Sequence, residues 1–174
     1  MISRILKRFG CSQRGFTLIE LMIALAIMAL IGGGATIATV QILKQSVRNR
    51  DFTTASQFTM NAIHWISRDA EMSQVVTTNG TTGFPLTLRW TDWSNGQYQV
   101  IYSIENNILK RKYSINGGQQ TQTILAESVN TVSQNTTCQY SNKVLNLQVT
   151  ATVGKGAYAV TVANTREIFM RSMP

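Results

Sequence analysis

The sequence predicts an α+β fold: one long N-terminal helix whose first half spans a membrane, packed against an antiparallel β-sheet head. Three observations predict it. Residues 21–43 contain no charged side chain. Beyond Lys44, small and apolar residues recur at spacings of three and four, with no proline before Pro85. After residue 83, short strand-like runs alternate with turn signals. A helix followed by strands, rather than a helix between each pair of strands, is the α+β order.

The uncharged run covers about 34 Å as a helix, enough to cross a bilayer core of about 30 Å. Arg4, Lys7, Arg8 and Arg14 precede it, and Lys44, Arg48 and Arg50 follow. The two flanks nearly balance, so counting positive charges leaves the orientation open. An ordinary secretory signal would be cut after its apolar core, here near Ala35. The run continues to Val40 and merges into a helical pattern, which argues against that cut. Gly32, Gly33 and Gly34 interrupt the run. Small residues let helices pack closely; the same triplet is a weak point where a helix can unwind, because each glycine costs roughly 1 kcal/mol relative to alanine.

The second half of the helix is amphipathic. Phe52, Ala55, Thr59, Ala62, Ile63, Ile66 and Ala70 form one stripe. A single helix over residues 17–76, about 90 Å long, accommodates both halves. Residues 77–83 read as a loop. Strands are expected at 84–90, 97–104, 108–114, 122–129, 143–153 and 157–163, with 166–171 as a last strand or a tail. Val144, Leu145, Leu147, Val149, Ala151 and Val153 alternate with near period two. These strands make one antiparallel sheet on the helix.

The chain carries 16 basic and 8 acidic residues, a formal charge of +8. Four of the positives lie in the first fifteen residues. Without them the charge is +4, so the argument for a nucleic-acid partner is weak. Cys11 and Cys138 are the two cysteines. If the first is removed with a leader, no internal disulfide is possible and Cys138 is a packed structural thiol. His64, the lone histidine, reads as a helix residue and not a ligand. Trp90, Trp93, Tyr98 and Tyr102 cluster with Arg89 around the first hairpin. Such a group can stack on single-stranded nucleic acid, with Lys110, Arg111 and Lys112 as further cations; it can equally cover the sheet. No phosphate loop, zinc-ligand set or carboxylate pair is present. The expectation is a protein that is not an enzyme and needs no cofactor or metal.

The stretch Arg14-Gly15-Phe16-Thr17-Leu18-Ile19-Glu20-Leu21 resembles the class III signal of type IV prepilins and type II secretion pseudopilins. That pattern is a basic leader, Gly, then Phe-Thr-Leu-Ile-Glu, then an apolar span. The resemblance implies cleavage between Gly15 and Phe16 by a prepilin peptidase, and N-methylation of Phe16. The residues agree with this. Gly15 lets a protease approach the backbone closely. A carboxylate within a span costs on the order of 3 kcal/mol at its centre. Glu20 therefore needs a partner, and the cationic amine of Phe16 on a neighbouring subunit supplies one. The bland alternative places Glu20 at the interface, favoured by the helix dipole. Residues 61–70 are similar to the spine-to-head region of minor pilins and J-type secretion pseudopilins, which carry an Arg-Asp or similar pair there.

The expected organisation is a leader at 1–15, an assembly and membrane helix at 16–43, an amphipathic spine at 44–78 and a β-rich head at 79–174. The expected role is a minor pilus or pseudopilus subunit that starts or caps assembly. A major shaft pilin, or a DNA-uptake or adhesive tip pilin, is the alternative. Expected partners are the prepilin peptidase, other pilin or pseudopilin subunits and an inner-membrane assembly platform, with nucleic acid not expected. The expected place is the cytoplasmic membrane, crossed once, and then a periplasmic or cell-surface filament.

Overall fold

The computed structural model describes residues 15–132 and 135–170. The leader apart from Gly15, including Cys11, lies outside the described residues. The chain divides into two compact units, one ending at Lys44 and the other beginning at Gln45. Helix α1 is Leu18–Met72. From Leu18 to Lys44 every helical residue is exposed in the isolated chain. Helix α1 passes through Gly32, Gly33 and Gly34 without a break, and nothing lies within 4 Å of where their side chains would begin. Thr36 and Thr39 donate their hydroxyls to the carbonyls of Gly32 (2.8 Å) and Ala35 (2.9 Å). These back-bonds leave no hydroxyl donor unpaired where lipid could not accept one.

In the second unit the predicted stripe is the buried face. Ala55, Thr59, Ala62, Ile63, Ile66 and Ala70 are buried, and Ser67 and Asp69 join them. Phe52 departs from the expectation and stays exposed. Helix α1 also ends four residues early. Ser73 N–H (3.0 Å) and its hydroxyl (2.8 Å) both donate to the Ala70 carbonyl, which closes the last turn. Gln74 N–H then donates to the Arg89 carbonyl (2.8 Å), handing the chain to a sheet edge. The β-branched Val75, Val76 and Thr77 become β1 (Val75–Thr77).

Strands β2 (Leu86–Thr91), β3 (Gln97–Glu105), β4 (Ile108–Ile115) and β5 (Thr121–Ala126) complete a five-stranded antiparallel sheet in the order β1-β2-β3-β4-β5. A second sheet holds β6 (Thr137–Ser141), β7 (Val144–Val153) and β8 (Val160–Phe169). The single expected sheet is thus two. Strand β6 escapes prediction because its turn, Asn142-Lys143, adopts the left-handed conformation at both positions without the Asn-Gly signature. Strand β8 begins later than expected, after a 3-10 turn at Gly156–Tyr158, and continues through the segment left open as strand or tail.

Residues 128–130 join the sheets. Val129 N–H donates to the Asn107 carbonyl (2.8 Å) in the β3–β4 turn, Asn130 N–H to Thr150 (2.8 Å), and Thr152 N–H to Ser128 (2.9 Å). Val129 is itself buried. The core between α1 and the sheets contains Ile66, Leu86, Leu88, Val100, Leu109, Leu145, Leu147 and Val149. Each such side chain contributes roughly 1.5–3 kcal/mol by leaving water.

Cys138 is fully buried in this core, and burial pushes its thiol up to about 12. Its N–H donates to the Thr82 carbonyl (2.8 Å). A side chain on Gly83 would begin 1.6 Å from the Cys138 carbonyl oxygen, and Gly83 has a φ of +80°. Gly83→Ala is therefore expected to lower stability by about 2 kcal/mol or more. Gly117→Ala, strained in φ but open in space, serves as the milder control in the same thermal-unfolding series. In a Cys11→Ser background, Cys138 should resist an aromatic disulfide reagent at pH 8 while the chain is folded and react at once in denaturant. Rapid labelling of the folded chain would contradict its burial.

Candidate functional site

Gly15 and Phe16 are exposed and precede α1. Thr17 sits at the N-cap and Glu20 three residues later, the spacing of a capping box. Thr17 N–H (3.0 Å) and its hydroxyl (2.8 Å) donate to Glu20 Oε2, while Glu20 N–H donates to Thr17 Oγ1 (3.4 Å). Two orphan amides of the first turn are satisfied inside the segment itself. Glu20 Oε1 takes no part in these bonds. The Thr-x-x-Glu spacing was available in the sequence, so Thr17 is a residue that sequence reasoning missed with its signal in plain view.

A cut between Gly15 and Phe16 would leave this cap whole. The Thr17 amide belongs to its bond with Phe16, so its N–H remains a donor. The new amine would stand at the adjoining residue.

A family model described as the prokaryotic N-terminal methylation motif matches residues 11–36. Over those residues the chain is similar to type IV pilins and pseudopilins. No curated protein and no solved structure gives a significant match. The motif implies processing by a prepilin peptidase and assembly with other pilins in a membrane, and it points to a structural, non-enzymatic protein. Together with the apolar first half of α1, it supports an inner-membrane anchor.

In the head, the polar centre is Asp69 on α1. Its side chain is 2 % exposed and that of Arg111, on β4, 14 %. Arg111 donates from Nε to Oδ2 (2.7 Å) and from Nη2 to Oδ1 (3.1 Å), a bidentate pair. Tyr102, on β3, donates its hydroxyl to Asp69 Oδ2 and also lies 3.0 Å from the Trp65 carbonyl. Burial, with Asp69 beside it, holds the Tyr102 phenol far above its ordinary range. Burial works against the charge on Arg111, but Asp69 outweighs it and the guanidinium stays above its usual value. That guanidinium also lies 5.1 Å from the ring centres of both Trp65 and Tyr113.

Asp69 pairs with Arg111 and not with its sequence neighbour Arg68. Successive helical residues point in different directions, and Arg68 is exposed, 5.8 Å from the Trp65 ring centre. The head also separates the cations that a nucleic-acid site would gather. Strand alternation puts Leu109, Arg111 and Tyr113 on the face toward α1, and Lys110 and Lys112 on the other. Both lysines reach Glu105, at 2.7 and 4.0 Å. The Lys110 hydrogen bond lowers the Glu105 carboxyl below its ordinary value.

The aromatic cluster is partly as expected. Trp90 and Tyr98 are cross-strand partners and stack with centres 5.4 Å apart. Tyr98 in turn lies 6.2 Å from Tyr113. Tyr102 is buried beneath the helix, Arg89 is exposed on the opposite side of β2, and Trp93 is exposed in the β2–β3 turn. His64 is exposed and meets Trp65 edge to face at 6.4 Å. Sequence reasoning missed Arg111 and Tyr102 as partners of Asp69. The available signal was an arginine at an inward position between Leu109 and Tyr113.

Removing one member of a buried ion pair strands the other. Asp69→Ala is expected to destabilise the chain by about 3–5 kcal/mol in denaturant unfolding. The paired replacement Asp69→Leu with Arg111→Met should cost far less than Asp69→Ala alone. Equal losses would show that the two side chains are not coupled.

Proposed function

We propose that this chain is a minor subunit of a type IV pilus or pseudopilus that helps initiate or cap filament assembly. In this reading a prepilin peptidase cuts between Gly15 and Phe16 and methylates the Phe16 amine. The assembly platform of the inner membrane then passes the subunit into the filament, where Glu20 faces the amine of a neighbour. One observation carries the reading. The helix from Leu18 to Lys44 buries none of its side chains in its own chain, and its one acid, Glu20, is held at the first turn by Thr17. A surface so apolar needs lipid or other helices, and Glu20 Oε1 is left for a cation from outside. Eight strands among the described residues, on a spine whose 61–70 segment resembles minor pilins, support the minor role over the shaft.

Mass spectrometry of sheared filaments and of membranes tests it. The expected result is a methylated Phe16 start, at trace level beside a dominant pilin. Dominance of this chain itself would make it the shaft subunit. Glu20→Ala should still be cut but remain in the membrane, with loss of nearly all filament signal, whereas a bulky substitution at Gly15 should block the cut. Normal incorporation of Glu20→Ala, or an uncut Met1 start in filaments, would sink the proposal.

A further inference from the structure

Two of the chain's three tryptophans, Trp65 and Trp90, line one cleft in the head, and the third, Trp93, is the sequence neighbour of a lining residue. Trp65, Trp90, Tyr98 and Tyr113 wall a cleft of about 390 Å³, and Arg68 and Asp92 are among its polar residues. Trp93 follows Asp92 directly and is 95 % exposed. The backbone of the turn that carries it is tied by hydrogen bonds. Asp92 Oδ1 accepts from Trp93 N–H (2.7 Å), Asp92 N–H donates to the Gly96 carbonyl (2.9 Å), and Asn95 N–H donates to the Asp92 carbonyl (2.9 Å). A tight turn thus presents to water the most costly side chain there is to expose. The core does not use it.

The volume lies in the range of small-molecule sites, roughly 300–1,000 Å³. The chemistry of the walls narrows the ligand. The cage between Trp65 and Tyr113 is already filled by Arg111, so a cationic ligand has no vacancy there. The charged residues lining the cleft are Arg68, Arg111, Asp69 and Asp92. They cancel, so no net field draws an anion, and the basic groove that single strands require is missing. What remains is the open indole of Trp93 and, on Trp90 and Tyr98, the ring faces turned away from their mutual stack, beside a few hydrogen-bonding groups. A pyranose ring matches this. Its C–H face meets the electron-rich face of an aromatic ring, and its hydroxyls suit a carboxylate and a guanidinium. A further cavity, of about 620 Å³, is lined by turn residues such as Asn106, Glu127 and Asn130 and offers no aromatic wall.

We propose that this cleft and Trp93 together bind an uncharged saccharide, with a sugar ring stacked on aromatic faces and its hydroxyls held by Asp92 and Arg68. The site lies wholly within residues 65–113 and stands whether or not the chain enters a filament.

The test uses the full processed chain in lipid nanodiscs, free of sugar-based detergents that would compete. Neutral cello-, chito-, malto- and galacto-oligosaccharides of two to four rings are titrated while tryptophan fluorescence is read. The expected result is saturable binding of at least one series. Trp93→Ala should weaken it about tenfold, the worth of one good aromatic contact. This side chain is too exposed for its loss to unfold the head, and Asp92→Asn, which keeps an acceptor for the turn, should weaken the same series. No binding by any series overturns the proposal, as does binding untouched by both variants. Salt-sensitive binding of oligothymidylate in place of sugar overturns it in favour of nucleic acid. Concentration-dependent self-association that Trp93→Ala abolishes, without sugar binding, overturns it in favour of a second copy of the chain.

Discussion

The carboxylate of Asp69 is the constraint around which the head is arranged. A charge buried on a helix must be met by charge and hydrogen bonds from whatever packs on that helix. Tyr102 and Arg111 are direct partners in the β3–β4 register, so one carboxylate takes both. A slip of β4 by one residue would turn Arg111 to the far face and bring Lys110 or Lys112 inward. Neither could supply a planar fork between two aromatic rings. The apolar core beneath tolerates exchange of like for like; this cluster admits one pairing only. It therefore sets which residues of α1 meet which residues of the sheet.

The two units satisfy their polar groups in different ways. In the first, every bond described is local. Thr36 and Thr39 return to carbonyls four residues back, and Thr17 and Glu20 cap the first turn between themselves. A segment that has to survive in lipid cannot rely on water for its donors. In the second, the decisive bonds join residues far apart in sequence, such as Asn61 to the Leu125 carbonyl (2.7 Å) and Asn164 to Thr59 (2.6 Å). Buried Thr59 and half-buried Asn164 would each be costly alone.

Much of the fold was legible in the sequence because it rests on periodicity. The apolar run and the stripe from Ala55 to Ala70 marked α1, and the alternation at 144–153 marked β7. The methylation motif was legible because its residue order is unusual. What failed depended on tertiary partners or on subtle turns. Val75 and Val76 continued the helical pattern, but a free edge beside Arg89 claimed them as a strand. Phe52 fitted the stripe but found too little head to cover it. Strand β6 has few apolar residues, and its Asn-Lys turn lacks glycine. The pairing of Asp69 with Arg111 spans 42 positions, and no local pattern announces a contact of that kind. The aromatic cluster was visible as composition, but which members line a cleft depends on strand register.

The stitch at residues 128–130 has a mechanical consequence. Its three bonds run from one short segment to the β3–β4 turn and to β7. One bond reaches the first sheet and two reach the second, so they stand in series through the segment. The second sheet holds the segment more firmly, because Asn130 also donates its side-chain amide to Thr152 Oγ1 (3.1 Å) and its carbonyl accepts from Thr136 Oγ1 (2.8 Å). A force that slides one sheet past the other would therefore break the Val129–Asn107 bond first and leave the segment seated on β7.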